Sequence, residues 1–237
     1  MDEEALMEML QHPMVLLWLT VSVYWLANTL RARTGSVWFN PVLLSTASLI
    51  AYLKIFGISY ERYHEAGQFI DFWLKPAVVG LALPLYLNWE KIRKQWLPIL
   101  VSQGAGSVAG IVSGVYIAKL MGAEREVLLS LASKSVTNPI AIEITNSMGG
   151  IPAITAATVI IAGMSGQMAG YRMMRASTVN RPMSQGISMG TASHAMGIAA
   201  SLEKGRKFAA YASLGLIFNG ILTAILVPIL LPFMGVV

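Results

Sequence analysis

Residues 128–145, LLSLASKSVTNPIAIEIT, begin and end as lipid-compatible sequence and carry Lys134, two serines, Thr137, Asn138 and Pro139 between. Proline lacks an N–H and pushes the residue before it out of helical geometry. One helix is therefore predicted to stop near Lys134 and another to start at Pro139, a favoured first helical position. Thr137 or Asn138 is placed to cap that start. Unpaired backbone groups cost several kcal/mol in hydrocarbon, so a break here needs partners. The free N–H groups of a helix start favour an anion, and Lys134 adds a full charge about one turn away. The simpler alternatives are that Lys134 snorkels to water or pairs with Glu143, and that the break is only a kink. A lysine at a bilayer centre costs about 2.5–3.5 kcal/mol even on the lenient scale. A whole polar cluster set on a helix break is harder to dismiss than one lysine.

The surroundings are those of a membrane protein. Charged residues are 12% of the chain, hydrophobic residues 55%, and the mean hydropathy is +0.61. A soluble domain carries roughly 25% charged residues. Apolar runs at about 13–30, 41–57, 68–87, 96–121, 152–171 and 208–232 are read as six spanning helices. The whole chain, 1–237, is read as one membrane domain with an acidic head over residues 1–12. That head lacks the basic region of a cleaved leader. The chain has no cysteine, which excludes disulfides and thiol chemistry. Its basic residues sit in short loops without interleaved aromatics, which argues for topology and against nucleic acid.

Two segments, 126–150 and 182–204, are apolar on average but broken by polar, glycine and proline clusters. Suppose both are re-entrant hairpins and the N-terminus is outside. Inner loops then hold Arg31, Arg33, Lys91, Arg93, Lys94, Arg172, Arg175, Arg181, Lys204, Arg206 and Lys207. Outer ones hold Lys54, Arg62, Lys119 and Arg125, giving 11 against 4. If both segments cross instead, Arg172, Arg175 and Arg181 change sides and the ratio falls to 8 against 7. Cytoplasmic loops collect Lys and Arg, so the hairpin arrangement is preferred. Each hairpin follows a glycine-striped run: GSVAGIVSG (Gly106, Gly110, Gly114) and GMSGQMAG (Gly166, Gly170). Small residues at that spacing allow close helix approach. A striped helix followed by a broken segment, twice and from opposite sides, is the pattern of an inverted repeat.

The second broken segment, GISMGTASHAMGIAASLEK (186–204), is expected to be loosened by glycines, with Gly190 and Gly197 as breaks. Thr191, Ser193 and His194 make it polar. His194 suits a hydrogen bond to a carboxylate or a proton relay; a histidine bonded to a neighbouring helix is equally well accounted for. His12 and His64 lie elsewhere, so no metal site is expected. Asp71 and Lys75, four apart, read as a local ion pair. Trp38, Trp89 and Trp96 near inner boundaries and Trp73 near an outer one read as an aromatic belt. No nucleophile–base pair, paired carboxylates or phosphate loop appears. The chain is read as a non-enzyme without cofactor.

Four stretches in this order, LALPLY (81–86), KSVTNPIAI (134–142), GGIPAITA (149–156) and GTASHAMGIA (190–199), resemble the LrgB/CidB family over most of the chain beyond about residue 40. The resemblance implies a multi-pass protein of the bacterial cytoplasmic membrane. Bacterial members are described as antiholin-like regulators of murein hydrolases and autolysis, encoded beside a holin-like partner of the LrgA/CidA type. A plastid relative is a glycolate/glycerate transporter, and some bacterial pairs are implicated in pyruvate uptake. The expected function is secondary transport of small 2-hydroxy or 2-keto monocarboxylates. The alternative is antiholin-like regulation. In the transport reading Lys134, Ser135, Thr137, Asn138, Thr191, Ser193 and His194 bind the carboxylate substrate. Pro139, Gly190 and Gly197 break the helices, and a homodimer is expected. The sequence departs from the family pattern at Ser133 (for proline), Asn138 and Ile198 (for threonine) and Lys75 (for glycine), so the first break is expected to be softer.

Overall fold

The computed structural model describes residues 3–35, 39–73, 76, 79, 82–87 and 89–236. Trp38, Lys75 with its expected partnership to Asp71, and Leu81 of the first family stretch lie outside them. Among the described residues every regular element is a helix. Four helices among them are long and apolar enough to cross a membrane. Contacts gather the chain into two compact units, 1–76 and 77–237.

The first unit holds α1 (Glu3–Leu10), α2 (Pro13–Thr34), α3 (Pro41–Ile55) and α4 (Tyr60–Asp71). Local signals start these helices. Pro13 and Pro41 occupy first-turn positions, and the Asn40 side chain accepts from the N–H of Val42 at 2.9 Å. Gly35 ends α2 in the left-handed conformation at φ 62°. Leu16, Ile58 and Ala66 form the unit's core. The Thr20 and Tyr63 hydroxyls, 3.0 Å apart, tie α2 to α4. Trp18 and Trp25 on α2 are exposed, as a lipid-facing surface requires. Helix α3 has 15 residues, which at about 1.5 Å per residue falls short of the roughly 30 Å hydrocarbon core.

The second unit holds α5 (Ala82–Leu87), α6 (Trp89–Lys94), α7 (Trp96–Leu120), α8 (Arg125–Leu131), α9 (Asn138–Met148), α10 (Pro152–Ala176), α11 (Pro182–Lys204) and α12 (Arg206–Phe233). Helix α12 is its axis. One face carries Ile221, Ile225 and Ile229, four apart and exposed; another buries Leu214, Ile217, Val227 and Leu231. Helix α7 runs parallel to it. Near its start Gln103 meets Thr191, beside which Asn219 of α12 also lies. At its far end Lys119 Nζ donates to the Met234 carbonyl at 2.6 Å.

The six expected spans and the four helices long enough to cross differ for two reasons. The expected run 41–57 is the short α3. The expected run 68–87 falls partly outside the described residues, and its described parts belong to α4 and α5.

Candidate functional site: two hairpin tips around Asn219

Segment 125–150 leaves one level of the unit and comes back to it. The Ile151 N–H donates to Ser130 Oγ at 2.7 Å, and Thr155 Oγ1 donates to the Ser130 carbonyl at 3.0 Å. Further in, the Ser133 hydroxyl reaches the Ala141 carbonyl (3.2 Å) and Thr145 Oγ1 (3.3 Å). Thr145 in turn bonds Thr155 at 2.8 Å. A buried hydroxyl chain thus clasps α8 to α9. The softer break expected from Ser133 is not what these bonds describe. A proline has no hydroxyl, whereas Ser133 joins the two arms.

Between the arms, α8 ends at Leu131 and α9 begins at Asn138. Thr137 is the N-cap by position, extended at φ −68° and ψ 148°, but its side chain makes no capping bond. Thr137 Oγ1 and Asn138 Oδ1 are buried with no hydrogen-bond partner among the described residues. The expected side-chain cap is therefore absent there, and the two oxygens stay available at the tip.

Helix α11 is also a hairpin. Its chain reverses at His194, whose backbone is at φ 41° and ψ −128°. The expected breaks at Gly190 and Gly197 are corrected: the reversal falls between them. Both glycines are there for space. A Cβ on Gly197 would collide with the Met189 carbonyl of the opposite arm, and one on Gly190 with the Ala212 carbonyl of α12. Pro139 sits in the first turn of α9, just past the first break. The open end of this second hairpin lies beside the far end of α10. Tyr171 Oη donates to Ser201 Oγ at 2.8 Å, and Gln185 Nε2 donates to the Val179 carbonyl at 2.7 Å. The first hairpin's base is instead at the start of α10, by Thr155. The hairpins therefore enter from opposite ends of α10.

Their tips meet at Asn219, a residue that sequence reasoning passed over. Asn219 is fully buried. Its Nδ2 donates to the Ser135 carbonyl at 2.9 Å and to the Thr191 carbonyl at 3.1 Å. Its Oδ1 accepts from Ser107 Oγ at 2.7 Å. Both amide hydrogens and the oxygen are used, and one side chain joins α7, α12 and the two tips. Gln103 and Ser107 were missed as well. Gln103 Oε1 accepts from Thr191 Oγ1 at 2.9 Å. The one signal in the sequence was that Asn219 is the only amide or charged side chain in the run 208–232, and such residues inside spans are rarely idle.

The glycine stripes are the beds on which the tips lie. A Cβ on Gly106 would stand 3.0 Å from Thr191 Cγ2, one on Gly110 3.1 Å from Ser135 Oγ, and one on Gly114 2.9 Å from Lys134 Nζ. On α10, Gly163 lies under the His194 ring, Gly166 under the Ser193 hydroxyl and Gly170 under Met189. Lys134 Nζ donates to the Gly110 carbonyl at 2.7 Å, and Glu143 is exposed. The Lys134–Glu143 pair weighed above therefore does not form. His194 Nε2 bonds the Val159 carbonyl at 2.9 Å. Lys134 and His194 face different long helices and share no bond. Val136 and Ala141 of the first hairpin pack on that same Val159. Ser193 Oγ is the third buried oxygen at the tips without a partner among the described residues.

Chemically, the junction gathers an ammonium, an imidazole, a helix start and three unsatisfied oxygens. No group of three or more His, Cys, Asp or Glu able to hold a metal occurs among the described residues.

Apolar helices of membrane-crossing length with hairpins set between them define the class: an all-helical membrane protein. The chain belongs to the LrgB-like family, whose model matches residues 20–233. It is 34% identical over 201 residues to the antiholin-like protein LrgB of Bacillus mycoides (strain KBAB4), covering 85% of this chain and 87% of that one. It is 33% identical, with the same coverage, to the proteins of that name from Bacillus cereus (strain B4264) and Bacillus anthracis (strain CDC 684 / NRRL 3495). No solved structure matches the chain.

Proposed function

We propose that this chain is an antiholin-like protein of the bacterial cytoplasmic membrane, regulating murein hydrolase activity and autolysis with a holin-like partner. The observation that carries this reading is the kinship just described: relatives matching 85% of the chain bear the name antiholin-like protein LrgB.

A second reading is favoured by the three buried oxygens of Thr137, Asn138 and Ser193, which have no partner among the described residues. Here the protein is a secondary transporter of small 2-hydroxy or 2-keto monocarboxylates. A buried polar oxygen without a partner is costly and is explained by a ligand that accepts from the two hydroxyls or donates to any of the three. Lys134 and the start of α9 would take the carboxylate. Thr137, Asn138, Thr191 and Ser193 would hydrogen-bond the ligand, and His194 would read its hydroxyl or carry a coupling proton. The two striped helices, each with its hairpin, would form an inverted repeat that alternates access.

Mutating glycines does not separate the readings, because the stripes and the polar cluster are in contact. Uptake of labelled glycolate, glycerate and pyruvate into proteoliposomes does, measured beside autolysis of a strain that lacks the gene and is complemented in trans. The regulator reading predicts that wild type and Lys134→Ala both restore normal autolysis and neither takes up label. Uptake by wild type that Lys134→Ala abolishes would overturn it and establish transport.

A further inference from the structure

The buried amide of Asn219 bridges the two hairpins within one side chain. Hairpin one offers it the Ser135 carbonyl and hairpin two the Thr191 carbonyl. Each carbonyl stands at a chain reversal, where no helix supplies a full set of donors. Ser107 on α7 holds the amide's other end. If one tip withdraws, an Asn219 N–H loses its acceptor in a dry, buried place. Apolar surroundings make that loss expensive, so the freed amide turns to recover a partner, its bond to the other tip weakens, and the second tip is released more easily.

We propose that Asn219 is the positioning residue that couples the two hairpin tips, so that they open and close as one unit. It touches no ligand; it acts through Ser135 and Thr191. That this junction is where the protein works rests on the reading above, whereas the coupling itself needs no substrate to be measured.

The glycine bed supplies a selective handle on each tip. A methyl at Gly110 meets only Ser135, and a methyl at Gly106 meets only Thr191. Gly110→Ala therefore disturbs hairpin one directly and Gly106→Ala hairpin two. Coupling between two sites is reciprocal. The test is hydrogen–deuterium exchange of the purified full chain in nanodiscs, read on peptides covering 132–141 and 189–197. The expected result is that either alanine variant raises exchange in both peptides, by about fivefold or more at the tip it does not touch. In Asn219→Ser, which removes the amide without adding bulk, both tips exchange faster at the outset, and each alanine then affects its own tip alone. A merely structural asparagine would loosen the unit without removing that cross-talk. Cross-talk that persists in Asn219→Ser overturns the proposal. So does an alanine that loosens only its own tip while Asn219 is present, an arm that requires no Asn219 variant to fold. Both outcomes are independent of whether label is taken up or autolysis restored.

Discussion

The Lys134 ammonium donates to the Gly110 carbonyl at 2.7 Å across two elements. No carboxylate is within ion-pair distance among the described residues. A helical carbonyl already engaged in its own ladder is a weak partner for a full charge, and removing an ion from water costs several kcal/mol after relaxation. Lys134 thus weighs on stability, and a functional site is where such a cost is retained.

Lys134→Met keeps the length and packing of the side chain and removes the charge. Its melting temperature in detergent should rise by about 2–4 °C for each kcal/mol recovered; in the transport reading uptake of label is lost with the charge, and in the regulator reading autolysis is restored as by wild type. A melting temperature that falls would show that the ammonium is a structural anchor.

Gly114→Ala is expected to destabilise by about 1–3 kcal/mol, the range for overpacking, because the new methyl lies 2.9 Å from Lys134 Nζ and 3.2 Å from the Leu131 carbonyl. Gly104 is on the same helix with nothing within 4 Å of an added Cβ. There the same substitution should stabilise by up to about 1 kcal/mol through helix propensity. Thermal unfolding of the two variants side by side reads the difference, and equal effects would contradict the glycine bed.

His194 inverts the usual order of alanine and glycine. At φ 41° an L-residue pays of the order of 1–3 kcal/mol in strain, which glycine escapes. His194→Gly and His194→Ala both lose the bond to Val159, so glycine should be the more stable of the two by about 1 kcal/mol. In an ordinary helix alanine wins by that margin. Circular dichroism melts in detergent would decide it; alanine ahead of glycine would place no reversal at this residue.

Ser133→Ala should cost about 0.6 kcal/mol and at most about 1.7 kcal/mol, the mean and the maximum for a hydrogen bond between membrane helices, because it removes the contacts to Ala141 and Thr145. Exchange measured across 138–150 should rise more than across 182–193. An unchanged melt and exchange pattern would mean that the clasp carries no weight.

The first break was legible because proline, a capping residue and a lysine coincide within six residues, and each has a strong local effect. The second was placed on the glycines because residues 186–204 hold no proline and glycine is the next strongest breaker by propensity. In the structure those glycines keep helical geometry and admit a neighbouring backbone, while the strain falls on His194. Spacing gave the stripes but not what lies on them, since small residues fit a second helix and a hairpin tip equally. Asn219, Gln103 and Ser107 escaped for a different reason. Each is one polar residue in an apolar helix, and its importance comes from groups 28 to 112 positions away that only folding brings to it.

The central claim is that both broken segments turn back and approach each other from opposite sides. Single cysteines in this cysteine-free chain test it most directly, with a membrane-impermeant thiol reagent applied to intact cells and to inverted vesicles. Met121→Cys and Ser147→Cys, flanking the first hairpin at exposed positions, should label from one side of the membrane. Ser177→Cys and Leu202→Cys, exposed positions flanking the second, should both label from the other. Labelling of Met121→Cys and Ser147→Cys from opposite sides would contradict the account, because the first segment would then cross the membrane.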